Sequence, residues 1–424
     1  MHRRRFLHGL AGAVGVAGLT ALAGCSSSCP DSGSPTPESI VALDDAPTGP
    51  FEDAPGGRWP DVHGGPANAG YVDASLPDAL AVRWRTDLPL PNGDAASLSA
   101  SSPTVGNDRV LVADRESVHA LDLATGERLW HRTGLAVTAV EQYRASLAET
   151  PAPTAPGGRV FVGTTDGIVA LTALDGNVDW RGTGLQDATA PLVHGDLIVG
   201  VGRETVAAFD PHGREQWRVS RSRQDPPFDP ATDAERVVLA TDRAVVALDA
   251  ASGEERWRYD ERPESYPVLV DGECVVGVSD GLIGLDAATG AVRWRFTRGD
   301  YLALQSPVVT PTSIYAVEQP PEAGAAAFAL DRTDGEPSPR WCSSVGSAVV
   351  AAATPEHAVA MVPLGEGPDA VHSLVAFTAD LGDAAWGLRG GGYPRSWPTT
   401  PAVLDGGVVA TTRGGTVVAL GRGD

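Results

Sequence analysis

Lysine is absent from this chain: all 32 basic side chains counted as Lys+Arg are arginine, against 54 Asp+Glu, for a net charge of −22. That balance excludes a general nucleic-acid binder, because a phosphate backbone would be repelled. An acidic, lysine-free, Ala/Gly/Val/Asp-rich composition is the one expected of an extreme halophile, whose carboxylate surface stays hydrated in molar salt. Cysteine is scarce, four in 424 residues, at Cys25, Cys29, Cys274 and Cys342. No two are adjacent and no C-x-x-C-H occurs, so neither a vicinal disulfide nor a c-type haem site is encoded. Cys274 and Cys342 fall on strands of different units and read as buried small hydrophobes rather than as a disulfide. Beyond residue 24 no apolar run reaches the 18 residues that a membrane span requires. With 50 Gly and 34 Pro, the chain is interrupted too often for long helices.

The long apolar run that does exist is at the start. Arg3-Arg4-Arg5-Phe6-Leu7 fits a twin-arginine export pattern, an apolar stretch runs from Leu10 to Ala23, and Leu22-Ala23-Gly24-Cys25 matches a lipobox. A basic head, a short apolar core and a small-residue cleavage site make residues 1–24 a lipoprotein signal, with Cys25 the lipidated residue. The alternative is an uncleaved N-terminal membrane helix. On the first reading the protein is exported folded and held on the extracellular face of the cell membrane. Residues 25–58 are rich in Ser, Pro and Asp and read as a disordered tether, leaving 59–424 as the folded body.

That body is one unit written eight times. Tryptophans recur at Trp84, Trp130, Trp180, Trp217, Trp257, Trp294, Trp341 and Trp386, at gaps of 46, 50, 37, 40, 37, 47 and 45 residues. Between them lie short Val/Ile/Leu/Phe runs split by turn residues, four strands per unit. A four-stranded sheet of this size cannot bury both faces alone. Eight arranged radially can, with tryptophans as wedges between them, so the expected fold is an all-β, eight-bladed propeller. The last unit ends at Asp424 one strand short, while Ala81–Thr86 has no three strands before it. Pairing the two closes the ring without an unpaired edge.

Ala120-Leu-Asp122-Leu-Ala-Thr125-Gly126-Glu-Arg-Leu-Trp130 resembles the A-x-D-x-x-T-G-x-x-x-W docking motif of pyrroloquinoline-quinone-type (PQQ-like) propeller repeats, and it recurs at Ala247–Trp257 and Gly284–Trp294. Trp59-Pro60 followed by Gly64-Gly65-Pro66-Ala67-Asn68-Ala69-Gly70-Tyr71 resembles the leader that precedes such propellers. The resemblance covers residues 59 to about 421. It implies either a quinone-dependent alcohol or sugar dehydrogenase, needing PQQ and Ca²⁺, or a non-catalytic envelope lipoprotein of the BamB-like kind, here of a haloarchaeal type. The missing vicinal cysteines and the scarcity of insertions favour the second, with no cofactor and no catalytic residue expected.

Repeated carboxylates at one hairpin position, Asp122, Asp249 and Asp286, are turn formers, as are Asp114, Asp166, Asp242 and Asp280 at another. Function is expected where the repeat breaks. Tyr143 and Arg144 lie in the connection 135–150, Tyr301 and Gln305 precede the sixth unit, and Tyr393, Arg395 and Trp397 precede the eighth. With Phe228 and Tyr266 these residues sit where a fourth strand joins the next first strand, on one face of the ring. The expected partner is a protein or small-molecule ligand on that rim, with the propeller itself a monomer.

Overall fold

The computed structural model describes residues 35–61, 63–77, 79–89, 100–137, 145–148, 158–189, 191–222, 228–297, 307–318, 325–346, 349–364, 371–390 and 398–423. The chain forms eight antiparallel sheets, each supplying four strands to one blade. Blades 1 to 7 occupy residues 104–133, 145–183, 192–220, 231–259, 268–297, 308–346 and 349–389 in order. Blade 8 takes its first three strands from 402–422, and its fourth is the early strand β2 (Leu80–Asp87), which pairs antiparallel with Thr416–Arg422. The ring is therefore closed by its own N-terminal strand, as the incomplete last unit requires.

First strands of successive blades touch one another, which makes them the inner wall around the axis. Second and third strands are buried on both faces, as in Val245–Asp249 and Gly281–Asp286, because neighbouring blades sandwich them. Fourth strands form the rim and are largely exposed, as in Arg128–Thr133.

Each fourth strand carries a bulge at the residue before its tryptophan. Trp130 pairs with Ala120 while Arg128 pairs with Leu121, leaving Leu129 unopposed, and the other seven blades repeat the pattern. A bulge sharpens the local twist and re-aims the side chain. The residue opposite the tryptophan is always Ala or Gly, which leaves room for the indole and gives a physical reason for the motif's leading Ala. Six indoles then donate to a carbonyl in the third-to-fourth turn of the next blade: Trp84 to Leu123, Trp130 to Ala173, Trp180 to Pro211, Trp217 to Ala250, Trp257 to Ala287 and Trp341 to Ala379, at 2.8–3.1 Å.

Two tryptophans depart from the rule. Trp294 lies back over its own blade, where a Cβ on Gly284 would come within 2.2 Å of it, and donates to Glu273 Oε1 at 2.6 Å. Trp386 is fully buried, and its N–H has no partner among the described residues. Blade 8 cannot offer Trp386 a turn carbonyl, because its third and fourth strands come from opposite ends of the chain.

Within the stretch 25–58, expected to be a disordered tether, residues 39–51 are held against the ring. Strand β1 (Ser39–Ala42) pairs in parallel with Ala384–Arg389 as a fifth strand on blade 7. The chain then crosses blade 8, where Thr48 and Gly49 donate to the Val82 and Arg83 carbonyls, and reaches blade 1, where Phe51 donates to Ala124. Residues 39–51 thus lie across the seam that β2 closes. Open edges of fourth strands explain this: an edge accepts a short β-branched segment even within a Ser/Pro-rich stretch.

A second correction concerns the connection 135–150. Blade 2's first strand, Ala145–Ala148, falls inside it, so that connection ends at residue 144. Among the cysteines, Cys274 is free and buried as expected, but Cys342 is disulfide-bonded.

Candidate functional site: the ring's axis

Every first strand runs the same way, so the ring has two unlike faces. One carries the first-to-second and third-to-fourth turns. The other carries the second-to-third turns and the connections between blades.

The leader segment enters the axis from the first of these faces. Gly56 and Asp405 exchange backbone hydrogen bonds, Ser75 N donates to Asp405 Oδ1 at 3.0 Å, and Gly406 N donates to the Ser75 carbonyl at 2.8 Å. Both ends of a 20-residue loop are thus pinned on one turn of blade 8. Between them the loop bonds first strands around the wall. Trp59 pairs with Val105, the amides of Thr232, Leu269, Val309 and Ala353 donate to the carbonyls of Pro66, Ala67, Ala69 and Gly70, and Val72 N donates to Ala353. Inner strands have a bonding edge that no further strand satisfies, and the loop supplies it.

Two side chains anchor the loop's far end. Asn68, 2% exposed, donates to the Pro230 and Pro267 carbonyls at 2.9 and 3.1 Å, tying blade 4 to blade 5. Asp61 Oδ1 accepts from the backbone of His63 and Gly65, which folds the tip. The His63 ring packs 4.0 Å from Tyr266, and its Nε2 lies 3.4 Å from Asp229 Oδ2. Asp229 and Tyr266 immediately precede first strands, so the tip reaches the level of the connecting loops. The loop stoppers the axis from one side and forms a floor under the other.

Of the expected rim residues, Tyr266 and Phe228 are described, and the structure separates them. Tyr266 belongs to the floor. Phe228 lines a cavity of about 400 Å³ between blades 3 and 4, with Val219, Leu239, Val246 and Leu248 as apolar wall and Arg221 and Arg258 beside it. Tyr143, Arg144, Tyr301, Gln305, Tyr393, Arg395, Trp397 and the lipidation candidate Cys25 lie outside the described residues. Sequence reading missed the stopper loop and this cavity. The leader's W-P and G-Y motifs were the available signal for the loop, but nothing in them says where it inserts.

A Ser–His–Asp set does occur, buried at the second-to-third turn of blade 1. Ser117 Oγ donates to Asp114 Oδ2 at 2.5 Å, and His119 Nε2 lies 3.0 Å from Asp114 Oδ2 and 3.2 Å from Ser117 Oγ. Burial pushes the Asp114 carboxyl up, but hydrogen bonds from His119, Ser117 and the Glu116 amide outweigh it and hold the group below its usual range. A nucleophile relay needs serine and aspartate on opposite ring nitrogens. Here both meet the same nitrogen, so the set braces a turn.

The recurring aspartates behave as turn formers. Asp286 Oδ1 accepts from the Ala288 and Thr289 amides, while Arg293 bonds Oδ2 at 2.7 Å and, with Thr289, lowers the carboxyl to about 2. Asp249 repeats this with Ala251, Ser252 and Arg256, its carboxyl also at about 2.

A quinone cofactor with Ca²⁺ would need six to eight oxygens converging beside the ring system. No group of three or more His, Cys, Asp or Glu among the described residues could hold a metal ion. Of the buried acids, Asp114 is engaged as above and Glu273 with Trp294 and, at 3.5 Å, Arg332, while Glu318 lies buried at the end of blade 6's second strand.

The fold is shared with solved propellers. BamB from Moraxella catarrhalis superposes with a TM-score of 0.58 at 17% identity, over 81% of this chain and 98% of that one. Quinohemoprotein alcohol dehydrogenase from Comamonas testosteroni gives 0.60 at 16%, over 87% and 81%. A europium-containing methanol dehydrogenase gives 0.59 at 14%, over 86% and 98%. No curated protein matches the sequence. A family model described as outer membrane protein assembly factor BamB matches residues 70–201 and 202–347, most of the ring, and the chain belongs to that family of PQQ-type propellers.

Proposed function

We propose that this protein is a non-catalytic binding module, exported by the twin-arginine route, lipid-anchored at Cys25 on the outer face of the cell membrane, and engaging a partner protein through the face that carries the inter-blade connections. The observation that carries the reading is the stopper loop. The leader loop, pinned at both ends to the Asp405–Gly406 turn, occupies the axis from one side, which supports assigning binding to the opposite face, to which the sequence breaks in the repeat at Tyr143, Arg144, Tyr301, Gln305, Tyr393, Arg395 and Trp397 are assigned. Aromatic and arginine side chains are the types that dominate protein-binding surfaces. Membership of a family described as an assembly factor supports a scaffolding role. The acidic, lysine-free surface suits an extreme halophile.

Site-directed photo-crosslinking tests the face. A crosslinker at Trp397 should capture a defined partner in intact membranes, whereas one at Leu174, an exposed turn residue on the opposite face, should not. Capture at Leu174 alone would overturn the assignment. Cys25→Ser should release the protein into the medium, and continued retention on the membrane would refute the anchor. The likeness to quinoprotein dehydrogenases keeps one rival in view: dye reduction with alcohols or aldoses after adding PQQ and Ca²⁺ would replace the binding reading with an enzymatic one.

A further inference from the structure

The first three blade seams can be aligned by their strand registers. Thr133, Thr183 and Ser220 each pair with the first residue of their own blade's third strand, Ser117, Gly167 and Thr205. Two residues further on stand Leu135, Leu185 and Ser222. Leu135 is buried in one cluster with Val160 and Val162 of blade 2. Leu185 is buried over Gly200 of blade 3, its Cδ1 2.6 Å from where a Cβ would stand. Each leucine plugs the gap between its own blade and the next. At the third seam the plug is a serine, and there lies the cavity of about 400 Å³. Leu239, on its wall, is the half-buried member of an otherwise buried second strand, Arg236–Ala240.

The geometry points to a binding site, at the seam between blades 3 and 4, for a small carboxylic acid with an aliphatic or aromatic body. An apolar wall with a few polar groups and a volume of this size are the marks of a small-molecule pocket. Ser222, Thr241 and Phe228 lie on the face of the inter-blade connections, and Gly253, under the Trp217 indole, lies toward the other. The charged groups favour an anion. Arg258 bonds Glu255 at 2.7 Å, Asp242 lies 3.4 Å from Arg243, and Arg221 makes a third arginine against two carboxylates. The Arg221 amide donates to the Glu204 carbonyl at 2.9 Å, which fixes where its side chain leaves the backbone. Guanidinium groups suit a carboxylate, which they can bind through two parallel hydrogen bonds. The site requires no partner protein and is independent of the scaffolding role.

A diazirine analogue of octanoate, photolysed on membranes that carry the full-length protein, tests the site by peptide mapping. Label is expected on the peptides holding Val219 and Leu239. Octanoate and phenylpropanoate should compete it away, and octylamine about tenfold less well, because its ammonium would face the arginines. Ser222→Leu restores the plug of the other two seams. It should cut labelling by about tenfold or more and raise the thermal midpoint, since it fills a void. Arg221→Gln should weaken competition by octanoate about tenfold and leave competition by octanol unchanged. Label lying elsewhere, or undiminished in Ser222→Leu, would overturn the site. A lowered midpoint in that variant would do the same, by showing the space already filled. Octylamine competing as well as octanoate, or Arg221→Gln leaving octanoate unaffected, would overturn the assignment to acids.

Discussion

Gly290 holds its backbone at φ 72°, and a Cβ there would stand 2.7 Å from the Trp257 indole of the preceding blade. The glycine of the T-G pair therefore serves twice, taking the left-handed turn and letting the wedge lie flat upon it. Gly290→Ala is expected to destabilise the fold by about 2 kcal/mol. Gly335→Ala, in the blade that Trp294 does not dock on, should be near neutral, since nothing lies within 4 Å of its Cβ position. Denaturant midpoints of the two variants check this. The aspartates of the same turns give a pH dependence. Asp249 and Asp286 titrate at about 2 in the folded chain, chiefly through Arg256 and Arg293, against about 4 when unfolded. Their stabilisation is complete above pH 4 and is lost as pH falls toward 2. The gap in denaturation midpoint between wild type and Asp286→Asn should accordingly shrink over that window, and a gap constant down to pH 2 would contradict the pairing. At this scale much was legible: the tryptophan period marks the wedges and the Asp-x-x-Thr-Gly repeat marks the turns. Trp294 and Trp386 were not, because an indole's partner is set by the next blade's turn. Arg332 in blade 6 and the split strands of blade 8 both break that pattern.

Among the elements, strand β1 was hidden from sequence reading by its Ser/Pro-rich surroundings. Four residues, Ser39-Ile40-Val41-Ala42, have too little periodicity to announce a strand, and its stability comes from an edge that only the folded ring provides. Val41, 6% exposed, packs in the core with Trp386 and Leu388, whereas Ile40 is 43% exposed. Val41→Asp should lower stability by about 2–3 kcal/mol through lost burial and a buried charge, while Ile40→Asp should cost little. Thermal melts of the pair decide whether the strap is part of the cooperative unit. Equal, small effects would mean that β1 melts independently of the ring. The stopper loop presents the opposite case. Its composition suggested a leader, and its Asn, Gly and Trp positions were visible. Its path through the axis, however, follows from bonding needs of strands hundreds of residues later.

For the whole molecule, the eight-bladed count and the closure by β2 were readable from spacing and the missing last strand. The rim was less so, since seven of the nine residues chosen there lie outside the described residues, and of the other two Tyr266 packs on the His63 ring while Phe228 lines the cavity between blades 3 and 4. A net charge of −22 with no lysine makes self-repulsion the dominant surface term in dilute salt. Screening over a few ångströms in molar salt relieves it. The thermal midpoint is therefore expected to rise steeply between 0.1 and 2 M KCl, and a flat profile would argue against a halophilic surface. The ring's seam also fixes an order of events during synthesis. Because β2 waits for Thr416–Arg422 and the loop from Gly56 to Ser75 hangs on the Asp405–Gly406 turn, neither can lock until those late segments have been made. Nascent chains must hold some 300 residues of blades as an open arc, and any factor that guards them against aggregation acts before residues 405–422 emerge.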